Sequence, residues 1–383
     1  MNAGQKVVAI LVVALLAGLG GCEVPRSRPE LSAAPGWGLQ PPRKVLDPST
    51  PLLELEQEGL KVVWKQDLGQ FAGGKSLKEA YVTGSLLIAE SHDSSLFHLD
   101  ALTGVWTATT SLKTPLIVPP VMGEKALFVL SGRNLLMIDP QSGLVRKRLP
   151  PWVPFTCQPV PYPGSLILGA SSGEVCRYDL QTEQRIWRAS AEAIVMAPPV
   201  LDAANVYAVG LRGSLIGVSA SDGRLVWRWQ PPRPSYLLSG LALADDRLYI
   251  GDNLGYVYCL LAQEGPLVLW KYPTGGPLLV TPLPFDGKLL VCPYKEEALC
   301  LTLGPKPQLL WRHPDAERAI TVGKSSVYVL TRDRSVACIA SDTGKEKWRL
   351  PLGRDCMVTS DPSRPIFYVY KRGGGIMAIG ELK

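Results

Sequence analysis

The feature that most constrains the fold is an apolar, strand-like pattern that recurs along the chain at a nearly constant interval. One aliphatic or aromatic position of this pattern falls, in order, at Leu99, Ile138, Tyr178, Val218, Leu260, Leu301, Ile339 and Ile379. Successive positions are separated by 38 to 42 residues. A period of about 40 residues that is maintained over so many units predicts a repeat architecture, in which each unit buries its apolar surface against its neighbours.

Each repeat unit contains signals for four short strands and for no helix. The first strand often follows proline, as in Pro119-Pro120-Val121 and Pro198-Pro199-Val200. A second apolar strand, the patterned third strand and a turn such as Asp222-Gly223 then precede a fourth strand that carries tryptophan. Short apolar strands joined by tight turns are typical of antiparallel sheets. Four-stranded units form a β-propeller when they are repeated radially and a solenoid when they are stacked in a line.

The two ends of the repeat region favour the propeller. The last unit stops directly after its third strand, and a match to the missing fourth strand, KVVWKQDL, stands at residues 61–68. We therefore predict that residues 61–383 form an all-β, eight-bladed β-propeller of four-stranded antiparallel blades, in which an N-terminal strand completes the last blade. Closure removes exposed sheet edges, whereas a solenoid would have no use for an additional fourth strand at its start.

A tryptophan recurs in register in the predicted fourth strands. The first unit has Trp106 two residues early, and the second unit reads Val145-Arg146-Lys147 without a tryptophan. Large aromatic side chains dominate the contacts between packed sheets, and repetition in register is what packing between like units requires. We therefore interpret the recurring residues as structural wedges between blades rather than as a ligand-stacking site; they are Trp64, Trp187, Trp227, Trp270, Trp311 and Trp348.

The first residues of the chain have the order of a bacterial lipoprotein signal. Lys6 precedes an apolar run over residues 7–19, which is short for a transmembrane helix, and Leu19-Gly20-Gly21-Cys22 follows. This ending resembles a lipobox, in which the signal is removed before a cysteine that then carries acyl chains. The resemblance implies a signal peptide over residues 1–21, a lipidated Cys22 and a flexible tether that extends to residue 60. An ordinary signal peptide with a chance cysteine is the alternative.

No catalytic, metal-binding or nucleic-acid-binding constellation is predicted. The three histidines, His92, His98 and His313, lack ligand spacing, and no G-x-S-x-G motif occurs. The stretch GQFAGGKS at residues 69–76 matches the phosphate-loop pattern, but strands are predicted after it instead of the required helix, so we interpret the match as a coincidence. The net charge of +6 comes from scattered lysines and arginines, which do not form the concentrated basic face of a nucleic-acid binder.

Seven cysteines follow Cys22, and none belongs to a CxxC metal pattern. Three of them, Cys259, Cys300 and Cys338, share one position in successive third strands, where other units carry Gly217 or Ala378. A small residue at a tight site between blades explains this position, so buried thiols are expected. A disulfide between Cys292 and Cys300 across a hairpin remains an alternative, because the sequence does not fix its geometry.

The unit GSLIGVSASDGRLVWRW at residues 213–229 resembles the repeats of quinoprotein dehydrogenases. The order of lipobox, tether and eight such units, with an N-terminal closing strand, is still more similar to the BamB lipoprotein family. That resemblance implies a non-enzymatic scaffold for protein partners in outer-membrane protein assembly, with no cofactor. It also implies a monomer within a complex, held by its lipid at the outer membrane and facing the periplasm in a diderm host.

The same resemblance points to two loops of adjacent middle blades as partner contacts, which correspond here to residues 191–196 and 235–239. These stretches match neither the Leu/Arg loop nor the acidic loop of the family, so no contact residue is assigned. Two other functions are considered: a ligand-binding or sensor propeller, and a quinone-dependent dehydrogenase. Enzymes of the latter class enclose the quinone with a vicinal disulfide, and no two cysteines are adjacent in this chain.

Overall fold

The chain folds into eight small antiparallel sheets. The computed structural model describes residues 45–48, 53–56, 58–69, 76–149, 153–237, 239–262, 265, 267–362 and 364–381. Within these residues one short helix, α1 (Leu53–Glu56), precedes 32 strands, and the strands form eight sheets of four. Each sheet is one blade of an all-β, eight-bladed propeller, which confirms the fold predicted from the repeat.

Blades 1 to 4 follow one another along the chain, and the strands of each blade are numbered from the centre outward. Blade 1 consists of β2 (Leu77–Thr83), β3 (Leu86–Ser91), β4 (Ser95–Asp100) and β5 (Trp106–Ser111). Blade 2 consists of β6 (Val121–Met122), β7 (Leu127–Ser131), β8 (Asn134–Ile138) and β9 (Val145–Leu149). Blade 3 consists of β10 (Val160–Tyr162), β11 (Ser165–Gly169), β12 (Glu174–Asp179) and β13 (Arg185–Ser190). Blade 4 consists of β14 (Val200–Leu201), β15 (Asn205–Gly210), β16 (Ser214–Ser219) and β17 (Leu225–Trp229).

Blades 5 to 7 repeat this order, and blade 8 departs from it. Blade 5 consists of β18 (Ala242–Ala244), β19 (Arg247–Gly251), β20 (Tyr256–Leu261) and β21 (Val268–Pro273). Blade 6 consists of β22 (Leu283–Phe285), β23 (Lys288–Val291), β24 (Ala298–Thr302) and β25 (Leu309–His313). Blade 7 consists of β26 (Ala316–Val322), β27 (Ser326–Thr331), β28 (Ser335–Ala340) and β29 (Glu346–Pro351). Blade 8 consists of β30 (Cys356–Ser360), β31 (Ile366–Lys371), β32 (Gly375–Glu381) and the first strand of the chain, β1 (Leu60–Asp67).

The strand β1 closes the propeller. It pairs antiparallel with β32, from Leu60 opposite Glu381 to Asp67 opposite Gly375. The amide of Leu68 extends this pairing by donating to the Gly374 carbonyl at 2.9 Å. The prediction that an N-terminal strand supplies the fourth strand of the last blade is therefore confirmed.

The core is divided among the junctions between blades. The buried apolar residues of the described chain fall into eight clusters, and each cluster joins one pair of neighbouring blades. Between blades 8 and 1, for example, Tyr368 and Ala378 pack with Leu77 and Phe97. Because each blade is covered on both faces, its central strands are apolar throughout rather than alternating, which is why the second and third strands give the strongest sequence signal.

A β-bulge occurs in the fourth strand of every blade. In blade 4, Leu225 and Trp227 pair with consecutive residues of β16, and Val226 is the additional residue between them. The same shift is present in the other seven blades. A bulge increases the local twist and makes an outer edge a poorer template for foreign strands. It also explains Trp106, which lies on the other side of the bulge from the repeated position, here Ala108.

Part of the range predicted as tether lies against the propeller. Leu46 donates its amide to the Pro351 carbonyl at 2.7 Å and accepts from the Gly353 amide at 2.8 Å. Leu46 and Leu55 are buried in the cluster between blades 7 and 8. No helix among the described residues has the length and apolarity needed to cross a bilayer.

Candidate interaction surface

Five of the six recurring tryptophans donate a hydrogen bond from one blade to the next. Trp64, for example, donates its indole N–H to the Ala101 carbonyl of blade 1 at 2.9 Å. The equivalent bonds, at 2.9 to 3.2 Å, run from Trp187 to Ala220, Trp227 to Ala262, Trp270 to Gly304, and Trp311 to Ser341. The sixth, Trp348, is half-buried and packs on Tyr328 with ring centroids 5.8 Å apart. In the first five, a large apolar ring is buried and its one polar atom is satisfied, which is the favourable arrangement for tryptophan.

A glycine in the neighbouring turn makes room for the tryptophan. Gly104 of blade 1 has a φ of +73°, and a Cβ built on it would lie 2.5 Å from ring atoms of Trp64. The same contact recurs between Gly223 and Trp187 and between Gly344 and Trp311. The turn glycine and the tryptophan recur together because the glycine of one blade packs on the tryptophan of the preceding blade.

The junction between blades 2 and 3 replaces this pair of residues by another. Lys147 occupies the tryptophan position opposite Met137, and Glu183, with a φ of +58°, occupies the place of the turn glycine. The two side chains form an ion pair. The Lys147 Nζ also lies 3.4 Å from the Leu180 carbonyl, which corresponds to the carbonyls that accept from tryptophan elsewhere. The sequence shows the missing tryptophan, but the compensating Glu183 is recognised only when the blades are placed side by side.

At the junction between blades 1 and 2 a buried histidine takes the role of the indole. The Nδ1 atom of His98 lies 3.2 Å from the Pro140 carbonyl, so a protonated Nδ1 can donate to it. Its Nε2 atom lies 3.0 Å from the Thr110 hydroxyl. Burial lowers the pKa of His98 from its ordinary 6.5, and the bond to Pro140 opposes this shift only in part. His98 is therefore a packing residue that is neutral at pH 7.

A cavity of about 660 Å³ opens at the junction between blades 2 and 3. Blade 2 contributes Phe128 and Met137 to its wall, and blade 3 contributes Tyr162, Leu180 and Gln181. The guanidinium of Arg177 lies over the Tyr162 ring, 4.5 Å from its centroid. The cavity therefore combines apolar walls with polar groups at the one described junction where lysine replaces the repeated tryptophan.

The cysteines after Cys22 are buried and unpaired, including Cys292 and Cys300. Burial raises the pKa of Cys157, Cys292 and Cys300 to about 12. Because the thiolate is the reactive form, thiols of this kind are poor nucleophiles and poor metal ligands at neutral pH.

The remaining positions singled out in the sequence are dispersed. Cys22 and residues 70–75 of the phosphate-loop match lie outside the described residues, and the strand β2 begins at Leu77. His92 is exposed, whereas His313 is buried beside Asp315 and Glu346. No group of three or more histidine, cysteine, aspartate or glutamate residues within the described ranges has the arrangement of a metal site.

The two loops that correspond to family contacts lie on adjacent blades. Residues 191–196 connect β13 to β14, and residues 235–239, of which Leu238 is outside the described part, connect β17 to β18. Val195 and Leu237 anchor these loops in the core, and the exposed Glu192 forms an ion pair with Arg228. The loops are thus fixed by packing, and their exposed residues differ in chemistry from a Leu/Arg or an acidic loop.

The chain matches the family model described as outer membrane protein assembly factor BamB over residues 44–151, 154–277 and 229–380. Among curated proteins, it is 28% identical over 130 residues to outer membrane protein assembly factor BamB of Marinobacter adhaerens, covering 34% of this chain and 32% of that protein. It is 24% identical over 178 residues to the protein of the same name from Nitrosomonas eutropha, covering 45% and 43%. The aligned stretches therefore span less than half the length of these curated relatives.

Solved structures share the architecture at low sequence identity. The crystal structure of BamB from Moraxella catarrhalis superposes with a TM-score of 0.68 and 14% identity, covering 84% of this chain and 97% of that one. Quinohemoprotein alcohol dehydrogenase from Comamonas testosteroni superposes with a TM-score of 0.62 and 12% identity, covering 86% and 78%. At these identities the structural likenesses show the fold alone, and they include both an assembly factor and an enzyme.

Proposed function

We propose, from the premise that this chain belongs to the family of outer membrane protein assembly factor BamB, that it is a non-enzymatic, lipid-anchored scaffold in outer-membrane protein assembly. The observation that carries the proposal is the match of the family model to almost the whole propeller. The fold suits this role because a closed ring with packed junctions presents its loops at fixed positions, and binding residues are commonly placed on such loops.

The chemistry of the side chains supports a scaffold over a quinone-dependent enzyme. Five of the recurring indoles donate hydrogen bonds to backbone carbonyls of neighbouring blades. We therefore propose that these tryptophans are structural and do not stack on a quinone. No two cysteines are adjacent in the chain, as a vicinal disulfide would require.

We further propose that residues 1–21 are removed as a signal peptide and that Cys22 carries the lipid. Residues 45–48, the first that the structure describes, are held to blades 7 and 8. Besides the backbone bonds of Leu46, the Asp47 carboxylate lies 2.9 Å from the Lys371 Nζ atom of blade 8.

The function is tested by affinity purification of the tagged full-length chain from detergent-solubilised membranes of its host. Recovery of barrel-assembly proteins in repeated experiments is the expected result. Their reproducible absence, with the propeller shown to be folded by circular dichroism, would contradict the proposal. Reconstitution with a quinone and Ca²⁺ is the matched test of the enzyme alternative, because a bound quinone would add its own absorbance band.

The anchor is tested separately with a Cys22→Ser variant. We expect the wild-type chain to incorporate labelled palmitate and to sediment with membranes. The variant should lose the label but keep the partners in detergent extracts, because the propeller itself is unchanged. Labelling of Cys22→Ser to the wild-type level would show that Cys22 is not the modified residue.

A further inference from the structure

The cavity between blades 2 and 3 adjoins the layer that tryptophan fills elsewhere in the ring. In blade 4 this layer is formed across three strands by Tyr207, Gly217 and Trp227, and the two rings stack with centroids 5.7 Å apart. In blade 2 the equivalent positions are Phe128, Met137 and Lys147. Phe128 and Met137 line the cavity, so the aromatic neighbour of an indole is present although the indole is absent.

The opposite wall provides the hydrogen-bond acceptor of an indole. Trp227 donates to the Ala262 carbonyl of the following blade at 3.0 Å. The corresponding carbonyl at this junction belongs to Leu180, which lines the cavity. Its side-chain partner is the Lys147 ammonium at the long distance of 3.4 Å, and this ammonium is also shared with Glu183. A better placed N–H donor would therefore improve the pairing of this carbonyl.

The charges around the opening are compatible with an uncharged aromatic group. Glu124 and Lys125 stand together in the turn between β6 and β7 and are exposed. The Asp179 carboxylate accepts hydrogen bonds from the backbone amides of Thr182 and Gln181. These bonds lower the pKa of its carboxyl group. Lys125 thus offsets Glu124 at the rim, and the remaining carboxylate of the wall, Asp179, already accepts hydrogen bonds from backbone amides.

We propose that this cavity binds a tryptophan side chain of a protein partner, with the indole N–H directed to the Leu180 carbonyl. The commitment to tryptophan follows from the molecule itself, because five other junctions hold an indole between equivalent positions. A phenyl or aliphatic side chain would fill the space but would bring no N–H donor to this carbonyl beyond the distant Lys147 ammonium. The proposal deepens the proposed function and rests on it, since it supplies one contact to a protein partner.

The probe is N-acetyl-5-fluorotryptophanamide, followed by ¹⁹F NMR in the presence of the full-length chain. Saturable broadening or a shift of the fluorine signal is expected with the wild-type protein. The double variant Lys147→Trp, Glu183→Gly rebuilds the tryptophan and glycine pair of the other junctions, so that its own indole would take the Leu180 carbonyl. We expect it to bind the probe at least about tenfold more weakly.

Two controls keep the test decisive. Lys345→Trp adds a tryptophan at an exposed turn of blade 7 and should leave probe binding unchanged. The same probe methylated on the indole nitrogen should bind the wild-type chain at least about fivefold more weakly, and this comparison needs no variant to fold. Absence of saturable binding to the wild-type chain, or equal binding by the folded double variant, would overturn the proposal.

The outcome is distinguishable from that of the proposed function. If barrel-assembly proteins are recovered equally by the wild-type chain and by the double variant, the scaffold role stands and the tryptophan site is wrong. If the wild-type chain binds the probe and the double variant binds it more weakly, while no assembly protein is recovered, the site stands and the family role fails for this chain.

Discussion

The packing of a turn glycine on the tryptophan of the preceding blade leads to a quantitative prediction. In Gly104→Ala, the new Cβ would lie 2.5 Å from two ring atoms of Trp64, at a residue whose φ is +73°. An alanine in the left-handed region costs about 1–2 kcal/mol, and overpacking of a filled core costs about 1–3 kcal/mol. We therefore expect the free energy of unfolding to fall by about 2–5 kcal/mol.

Gly287→Ala is the matched control for this substitution. Gly287 has a φ of +69°, and a Cβ built on it meets nothing within 4 Å. This variant should show only the backbone cost of about 1–2 kcal/mol. The difference between the two variants then measures the contact with Trp64 across the junction that closes the ring.

The assay is urea denaturation followed by far-UV circular dichroism, with the midpoint and the slope reported for each variant. Trp64→Ala should cost about 3–5 kcal/mol alone, and in that background Gly104→Ala should retain only its backbone cost. A coupling of about 1–3 kcal/mol between the two sites is therefore expected. Equal losses for Gly104→Ala and Gly287→Ala, or additive losses in the double variant, would refute the interlocking of glycine and tryptophan.

Three further predictions use other features of the ring. Burial lowers the pKa of His98 in the folded state, so the unfolded state binds a proton first as the pH falls through 6.5. The urea midpoint of the wild-type chain should therefore fall over this range more steeply than that of His98→Gln, and parallel curves would contradict this prediction. Lys147→Met should change stability by less than about 1 kcal/mol, since its ion pair with Glu183 is partly exposed, whereas Trp187→Ala should cost about 3–5 kcal/mol in the same denaturation assay. The seven thiols after Cys22, all buried, should react with a thiol reagent only after unfolding; rapid labelling of the native chain would show that blades open locally.

The blade count and the ring closure could be predicted because both depend on patterns that repeat within the sequence. The segment at residues 61–68 resembles the other fourth strands, and the last unit lacks a fourth strand. The sequence therefore predicts that this segment pairs with the third strand of the last unit. The sequence shows that Trp106 stands two residues before the repeated tryptophan position. It does not show the reason, because a β-bulge is a property of two paired strands. The cavity could not be predicted from the sequence, since its walls combine side chains of two successive units that are about 40 residues apart.

The packing of residues 45–48 shows a different limit of the sequence. Nothing in the stretch around Leu46 has the length or alternation of a strand, and its two backbone bonds are made to Pro351 and Gly353. A single isolated bridge has no periodic signal, and its stability comes from the apolar cluster between blades 7 and 8 that receives Leu46. Composition alone therefore predicted a tether over a range in which part of the chain is packed.

The pairing of β1 with β32 has a consequence for how the protein is made. Residue 60 emerges from the ribosome long before its partner at residue 381, so blade 8 cannot acquire its outer strand until synthesis has passed that point. Until then the nascent molecule keeps an unsatisfied sheet edge, which is a site for chaperone capture, proteolysis or aggregation. A chain that stops before Gly375 would lack the partner of β1 and could not close the ring in this way.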